Sequence, residues 1–232
     1  MKNKINMTPK SKNAELGLFI ILTSLFIAAL ITCNLIANKF VSINLGFKTF
    51  IVSAGILPYP ITFLITDILS EIYGRKMTNK VVISGFFASM MVLLFLWIGS
   101  QPNALESSPV SNETYNTVFR NAWRVMAASM IAYLSAQFLD VRLFHFWKNL
   151  TKGKHLWLRN NASTVGSQFV DTTLVICVLF VGEWSTAAII QAIIDGWTFK
   201  MLCALIDTPI FYMTSSFLRS KFNLKLNEEV VL

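Results

Sequence analysis

The sequence predicts an all-α membrane protein whose chain crosses the bilayer six times. Its hydrophobic fraction is 54% and its charged fraction 14%, whereas soluble domains have roughly 45–50% apolar and about 25% charged residues. The apolar residues form continuous runs, which favours helices over a barrel whose strands would alternate with a period of two. The runs also reach the length of about 20 residues that a helix needs to cross roughly 30 Å of hydrocarbon.

Six stretches of the chain qualify as spans. In order, they are Leu16–Phe40, Thr49–Ile72, Val81–Ser100, Val118–Val141, Asn161–Gly182 and Ala187–Leu218. The last is long enough to be tilted, or to follow an interfacial turn near residues 184–191. In the second, Pro58 and Pro60 either interrupt the helix beside a wet cavity or lie near the first turn of a helix that starts after Pro60. The chain therefore divides into a tail over residues 1–15, a transmembrane domain over 16–218 and a second tail over 219–232.

Lys and Arg are distributed unevenly between the loops, and this predicts the orientation of the chain. They occur in the N-terminal tail, after the second and fourth spans and in the C-terminal tail, whereas residues 101–117 contain none. Lys39 and Lys48, in the first outer loop, are exceptions. Because cytoplasmic loops carry the excess of Lys and Arg, both tails are predicted to be cytoplasmic. The net charge of +8 is spread over these loops and forms no single stripe, so we predict contact with membrane lipid and no nucleic-acid partner.

The residues that usually carry catalysis or metal binding lack the spacing for it. Cys33, Cys177 and Cys203 lie singly in apolar runs and are predicted to be small buried hydrophobes. His145 and His155 have no partner at a metal-binding distance in sequence. The sequence contains no HExxH, GxSxG, Walker or GxGxxG motif. We therefore predict no metal, no cofactor and no enzymatic activity, and the chain has no soluble lobe that could serve as an ATP-driven motor.

Ionisable and amide side chains recur inside the predicted spans, where each charge costs at least about 2.5–3.5 kcal/mol to insert. Asp67 and Glu71 lie four residues apart and share one helix face. The others are Asn34, Asn38, Arg120, Arg124, Asp140, Asp171, Asp195, Lys200 and Asp207. In one interpretation they neutralise one another or join helices. In the other, the carboxylates, which outnumber the cations, meet a ligand in a polar central cavity. That cavity would be typical of a solute transporter.

Ordered motifs in four of the spans are similar to those of a known family. In the second span, the run from Pro60 to Asp67 continues to Glu71 and Gly74. The further motifs are Arg124, Ala128–Ser129, Ala132–Tyr133, Gln137 and Asp140 in the fourth span, Ser167–Gln168 and Asp171–Thr172 in the fifth, and Lys200, Asp207–Pro209 and Tyr212 in the sixth. Through these motifs the chain resembles the queuosine precursor transporter family, also called the vitamin uptake transporter family.

The resemblance implies a multi-pass importer in the bacterial inner membrane. Its cargo would be a 7-deazapurine for the tRNA base queuosine: 7-cyano-7-deazaguanine, its aminomethyl relative or queuine. The resemblance also implies the six-helix architecture of the substrate-binding subunits of energy-coupling-factor transporters. The alternative is that the chain is itself such a subunit, binding another vitamin or purine-like solute and working with a separate ATP-driven module. The precursor carried, the driving force and the formation of homo-oligomers stay open.

A guanine-like ring restricts which residues can bind it. Its two adjacent N–H donors fit one carboxylate, for which Asp67 and Asp171 are the candidates. Its carbonyl needs a donor, which we predict to be Gln168, Asn34 or Lys200. The aromatic side chains that could stack on the ring are Phe63, Tyr133, Phe169, Trp197 and Tyr212. The full predicted substrate-binding set is Asp67, Asp171, Gln168, Lys200, Asn34, Gln137, Asp140 and Glu71.

Overall fold

The computed structural model describes residues 9–37, 39–44, 46, 48–120, 122–180, 182, 184–225 and 228–230. Most of these residues are helical. The helices are α1 Pro9–Leu35, α2 Tyr59–Ile72, α3 Gly74–Gly99, α4 Asn112–Tyr115, α5 Ala122–Leu150, α6 Leu156–Phe180 and α7 Thr186–Lys221. A 3-10 turn at Ala54–Ile56 precedes α2, and a π-helical turn at Asn116–Arg120 precedes α5. Asn38 and the side chains of Arg120 and Arg124, which the sequence singles out, lie outside the described part of the chain, as do the first eight residues of the N-terminal tail.

The lengths and composition of the helices identify a multi-pass membrane protein. Within the described residues, four helical segments are long and apolar enough to cross a membrane: Asn13–Leu35, Ala54–Ile72, Gly74–Gly99 and Thr186–Lys221. Helices α5 and α6 are also long, at 29 and 25 residues, but they are more polar because they contain several of the charged and amide side chains discussed above. Four spans are therefore evident from composition, and the remaining two depend on how α5 and α6 are interpreted.

A β-hairpin occupies the region where the sequence predicts the end of the first span and the start of the second. Strands β1 (Phe40–Asn44) and β2 (Thr49–Ser53) pair antiparallel, with Phe40 opposite Ser53 and Asn44 opposite Thr49. The predicted first span was therefore too long at its end, and the prediction of a helix from Thr49 was wrong. Alternation of apolar residues explains the strand, because Phe50 and Val52 are buried on one face. The ring of Phe50 packs edge-on against the ring of Phe199 in α7, with the ring centroids 5.5 Å apart.

The two prolines lie at the start of α2 and do not interrupt it. Pro58 is the residue before the helix and Pro60 lies in its first turn. Proline is tolerated there because the first N–H groups of a helix have no intrahelical acceptor. Of the two interpretations of this segment, the helix that starts at the prolines is confirmed, with its first residue at Tyr59.

The start of α1 and the end of α7 lie at the same end of the bundle. The Tyr73 hydroxyl, just after α2, donates to the Glu15 carbonyl in α1 over 2.8 Å. The Val230 amide of the C-terminal segment donates to the Ile72 carbonyl over 2.7 Å. Glu71 contacts the last turns of α5 and α7 and the first turn of α6 through Lys148, Arg219 and Arg159. Neighbouring helices therefore run in opposite directions, as short connections require.

The largest apolar core cluster joins α1, α2, α3, α5 and α7, and the outer faces remain apolar. Phe26, Leu30 and Leu69 are buried in this core. Gly85 allows α3 to approach α1 closely, because a Cβ at that position would collide with the Phe26 ring. Large apolar side chains are exposed along the outside of the helices, among them Ile20, Leu25, Phe87, Leu94, Phe95, Ile131, Ile206 and Met213. Contiguous exposed apolar surface of this kind suits a hydrocarbon environment.

Candidate functional site

A cavity of about 830 Å³ opens between the hairpin and helices α1, α2, α5, α6 and α7. This volume is within the range of roughly 300–1,000 Å³ that small-molecule sites occupy. Most of its lining is apolar, and polar groups project into it at a few positions. Those polar positions are Asn34, Ser53, Tyr59, Tyr133, Asp171, Thr172, Gln191, Asp195 and Lys200.

Asp171 and Lys200 form a buried ion pair in the wall of this cavity. The Lys200 Nζ donates to Asp171 Oδ2 over 2.6 Å, and the two side chains are 12% and 4% exposed. Lys200 Nζ also lies 4.4 Å from the centroid of the Tyr59 ring, in cation–π contact. The second oxygen, Asp171 Oδ1, has no hydrogen-bond partner among the described residues. The pair is therefore neutral overall but retains an acceptor for a ligand N–H.

A narrow pocket of about 20 Å³ adjoins the cavity, because Tyr59 and Lys200 line both spaces. Asp67, Gln168 and Asp207 line the narrow pocket as well. Gln168 is 2% exposed, and neither its amide nitrogen nor its amide oxygen has a partner among the described residues. A buried amide without partners costs free energy unless a ligand satisfies it. Gln168 is thus available both as a donor and as an acceptor.

Asp67 and Asp140 lie within hydrogen-bonding distance of each other, on α2 and α5. They are 2% and 0% exposed. The Ser167 hydroxyl donates to Asp140 Oδ1 over 2.8 Å. One oxygen of each carboxyl, Asp67 Oδ1 and Asp140 Oδ2, meets no donor among the described residues. Gln137, on the same face of α5, accepts from the Thr66 hydroxyl of α2 over 3.3 Å.

Glu71 lies away from the cavity, at the end of the bundle where the two termini meet. Its carboxylate accepts from Arg159 Nη1 over 2.9 Å and from Arg219, and Lys148 Nζ is 3.6 Å away. Lys148 also lies 3.7 Å from Glu229 of the C-terminal segment. Of the predicted set, therefore, Asn34, Asp171 and Lys200 line the cavity, Gln168 and Asp67 line the adjoining pocket, and Glu71 belongs to a separate cationic cluster. Gln137 and Asp140 lie beside Asp67.

Several residues at the site were not predicted from the sequence. Tyr59 lines both spaces, and its position between two prolines at a helix start was the available signal. Lys48 forms an ion pair with Asp195 over 2.5 Å at the cavity rim. Lys48 is one of the two lysines that did not fit the predicted distribution of Lys and Arg between the loops, and this ion pair neutralises its charge. Two predicted stacking residues are engaged elsewhere. The Trp197 indole donates to the Val165 carbonyl over 3.0 Å, and the Tyr212 hydroxyl accepts from the Trp157 amide over 2.9 Å.

Comparison with known families places the chain in a recognised group. The family described as "Putative vitamin uptake transporter" matches residues 53–214. That range runs from the end of β2 to the last third of α7. It contains both members of the Asp171–Lys200 pair, Gln168 and both buried carboxyls. The family match therefore covers most of the residues that build the cavity.

Curated relatives extend this comparison. A protein of Bacillus subtilis named "Probable queuosine precursor transporter" is 31% identical over 159 residues, which cover 68% of this chain and 69% of that protein. The "Queuosine precursor transporter" of Escherichia coli is 28% identical over 79% of this chain and 75% of its own length. A relative in Haemophilus influenzae, also named "Probable queuosine precursor transporter", is 27% identical over 54% of this chain and 51% of its own length. No solved structure matches the chain.

Proposed function

Since this chain belongs to the vitamin uptake transporter family, we propose that it imports queuosine precursors across the bacterial inner membrane. The observation that carries the proposal is the Asp171–Lys200 pair in the wall of a cavity large enough for a bicyclic base. The names of the curated relatives support the same class of cargo. A precursor of this class is 7-cyano-7-deazaguanine, its aminomethyl relative or queuine.

In the proposed topology, residues 16–218 cross the membrane six times, with α5 and α6 as the fourth and fifth spans. The polar faces of these two helices would then lie against the cavity and the other helices, out of contact with lipid. The basic clusters support a cytoplasmic location for both tails, and the shared position of the start of α1 and the end of α7 agrees with an even number of crossings. This arrangement is the one that the resemblance to energy-coupling-factor substrate-binding subunits implies.

For recognition, we propose that ring N–H groups of the base donate to Asp171, whose Oδ1 has no other partner among the described residues. Lys200 forms an ion pair with that carboxylate, and a charge-assisted hydrogen bond is about twice as strong as a neutral one. Gln168 offers an amide N–H to the ring carbonyl. Asn34 contributes less as a donor, because its Nδ2 already donates to the Leu30 carbonyl over 3.1 Å. Tyr59 supplies an aromatic ring whose centroid is 4.4 Å from Lys200 Nζ.

Asp67, Gln137, Asp140 and Glu71 lie farther toward the end where the termini meet. We propose that they belong to the path of transport and do not make the first contact with the base. The carboxyl groups of Asp67 and Asp140 contact each other. The carboxylate of Glu71 contacts three cations. A neutral base would have to displace one of these cations to reach Glu71.

The test is uptake in cells that cannot synthesise the precursor, with each candidate base supplied in turn and queuosine measured in tRNA. We expect queuosine to appear only when the chain is expressed and its base is supplied. Absence of queuosine with every base would contradict the proposed cargo. The alternative, a binding subunit of an ATP-driven system, is tested with the purified chain in liposomes that contain no ATP. Binding of the base without any entry, together with co-purification of an ATPase pair from cells, would favour that alternative.

A further inference from the structure

Two contacting carboxyl groups are buried in the centre of the bundle, and nothing in the proposed recognition of the base uses them. Asp67 is 2% exposed and Asp140 is 0% exposed. Within the described part of the chain, neither carboxyl forms an ion pair. Two ionised carboxylates at this distance, buried without a cation, would repel each other strongly. Electrostatics therefore requires a bound positive species at the pair.

The groups that face the pair from the neighbouring helices do not supply that charge. Asp207 of α7 adds negative charge near Asp67, and among the described residues the cation that acts on Asp67 is Arg159 of α6. Both of its terminal nitrogens donate to Glu71, at 2.9 and 3.4 Å. The Ser167 hydroxyl donates to Asp140 Oδ1 over 2.8 Å and brings no charge. The Ser163 hydroxyl, also near Asp140, donates to the Asn160 carbonyl over 3.1 Å.

The surroundings of the pair give it a connection to the ligand cavity. Asp67 lines the narrow pocket together with Gln168, whose buried amide has no partner among the described residues. Tyr59 and Lys200 line both that pocket and the cavity. On the other side, Glu71 lies one helical turn from Asp67, on the same face of α2. The pair is therefore situated between the cavity and the cationic cluster at the end where the termini lie.

We infer that Asp67 and Asp140 share one proton and form the site that couples entry of the solute to entry of a proton. This rests on the proposed function only for the identity of the solute. A proton from water in the cavity binds to one carboxyl and is hydrogen-bonded by the other. Its release at the opposite end of the bundle completes the transfer, with no other reactant consumed.

The shared proton is tested first on the purified protein, without any solute. The infrared carbonyl stretch of a protonated carboxyl group should be present in the wild type at neutral pH. It should shift or disappear in Asp67→Asn, because Asp140 then lacks the carboxyl with which it shares the proton. The control is Glu113→Gln, which removes an exposed carboxylate in α4. If the spectrum of Asp67→Asn matches that of the wild type, the shared proton is refuted.

Coupling is tested in liposomes, with radiolabelled 7-cyano-7-deazaguanine as the solute and a pH dye inside. With one proton per base, a gradient of one pH unit supports about tenfold accumulation. We expect the wild type and Glu113→Gln to accumulate base and to acidify the lumen. Asp67→Asn should still bind and exchange base, without accumulation or acidification. Asp140→Asn should behave in the same way, and it replaces Asp67→Asn if that variant does not fold.

The outcomes separate this inference from the proposed function. Uptake that ignores the pH gradient, or that follows a Na⁺ gradient instead, would overturn proton coupling and leave the cargo intact. Loss of base binding in Asp67→Asn would make this residue a ligand contact and would also overturn the inference. If no base is taken up by the wild type while the infrared band depends on Asp67, the proton site stands and the proposed cargo is wrong.

Discussion

At the scale of single residues, Asp171 and Lys200 differ in what their loss should do. Asp171 is the acceptor for the base in the proposed site, and Lys200 is its counter-ion and, like Tyr59, lines both the cavity and the narrow pocket. A buried ion pair of this kind is sensitive to loss of one partner, because the other is left as an uncompensated charge. Binding and stability must therefore be measured together on each variant.

Asp171→Asn is expected to weaken binding of the base by about one to two decades in Kd. Loss of a charged hydrogen bond costs roughly 1.5–3 kcal/mol, and every 1.4 kcal/mol is about tenfold. Titration of the base into the detergent-purified variant measures the effect. Asp195→Asn is the matched control, since Asp195 is also paired with a lysine but is 23% exposed at the cavity rim. Equal losses in both variants would contradict a specific role for Asp171.

Lys200→Met is expected to abolish uptake and to lower thermal stability. The variant removes the donor to Asp171 and the cation over the Tyr59 ring. The double variant Lys200→Met/Asp171→Asn removes both charges, so it should recover stability without recovering uptake. Melting temperature in detergent and uptake in cells provide the two readouts. Wild-type uptake by Lys200→Met alone would refute both its structural and its binding role.

At the scale of elements, one carboxylate joins the ends of four helices. Glu71 of α2 contacts Lys148 of α5, Arg159 of α6 and Arg219 of α7, and it is 1% exposed. Lys148 extends the cluster to Glu229 of the C-terminal segment. Because the helix ends converge on one buried charge, the cluster closes this end of the bundle. It is also the part of the structure that would have to open for a solute to leave on that side.

Glu71→Gln is expected to destabilise the protein strongly, because it leaves three cations without their buried partner. Breaking a buried pair costs roughly 3–5 kcal/mol. The matched control is Glu229→Gln, since Glu229 contacts the same Lys148 but is 34% exposed, and exposed pairs contribute about 0–1 kcal/mol. Thermal unfolding in detergent compares the two. A melting temperature for Glu71→Gln as high as that of Glu229→Gln would show that the cluster does not hold the helices together.

At the scale of the whole molecule, the contacts between helix ends predict which loops share a side of the membrane. The start of α1, the end of α2 and the end of α7 lie together, whereas residues 101–117 connect the other ends of α3 and α5. The charge distribution predicts that the shared end is cytoplasmic. Orientation is thus supported both by the sequence and by the helix contacts, and it can be measured directly.

Reporter fusions after Lys225 and within residues 106–117 are expected to report opposite sides of the membrane. A fusion after Lys225 should be active with a cytoplasmic reporter, and one in the 106–117 loop with a periplasmic reporter. A third fusion after Thr151, between α5 and α6, should agree with the first. If the first two lie on the same side, the number of crossings between them is even, whereas the six-span topology requires three, and that topology is wrong.

The sequence by itself determined the class of the molecule. Membrane-spanning segments are recognised from local hydropathy, and loop charge is also a local property, so neither requires knowledge of packing. The ordered motifs around Asp67, Asp171 and Lys200 likewise predicted the family that the comparison then confirmed. The extent of α1 and the start of α2 were misjudged, because a strand such as β2 is as apolar as a helix over five residues.

The tertiary structure decided how the buried charges are combined. The sequence left open which of the buried charges neutralise one another. In the folded chain Lys200 pairs with Asp171, and Asp67 lies against Asp140. Packing also separated Glu71 from the cavity by surrounding it with cations that include Arg159, 88 residues farther along the chain. Hydropathy specifies that a helix lies in the membrane but leaves its rotation and its neighbours undetermined. Contacts between distant helices set both, and with them the partner that each buried charge meets.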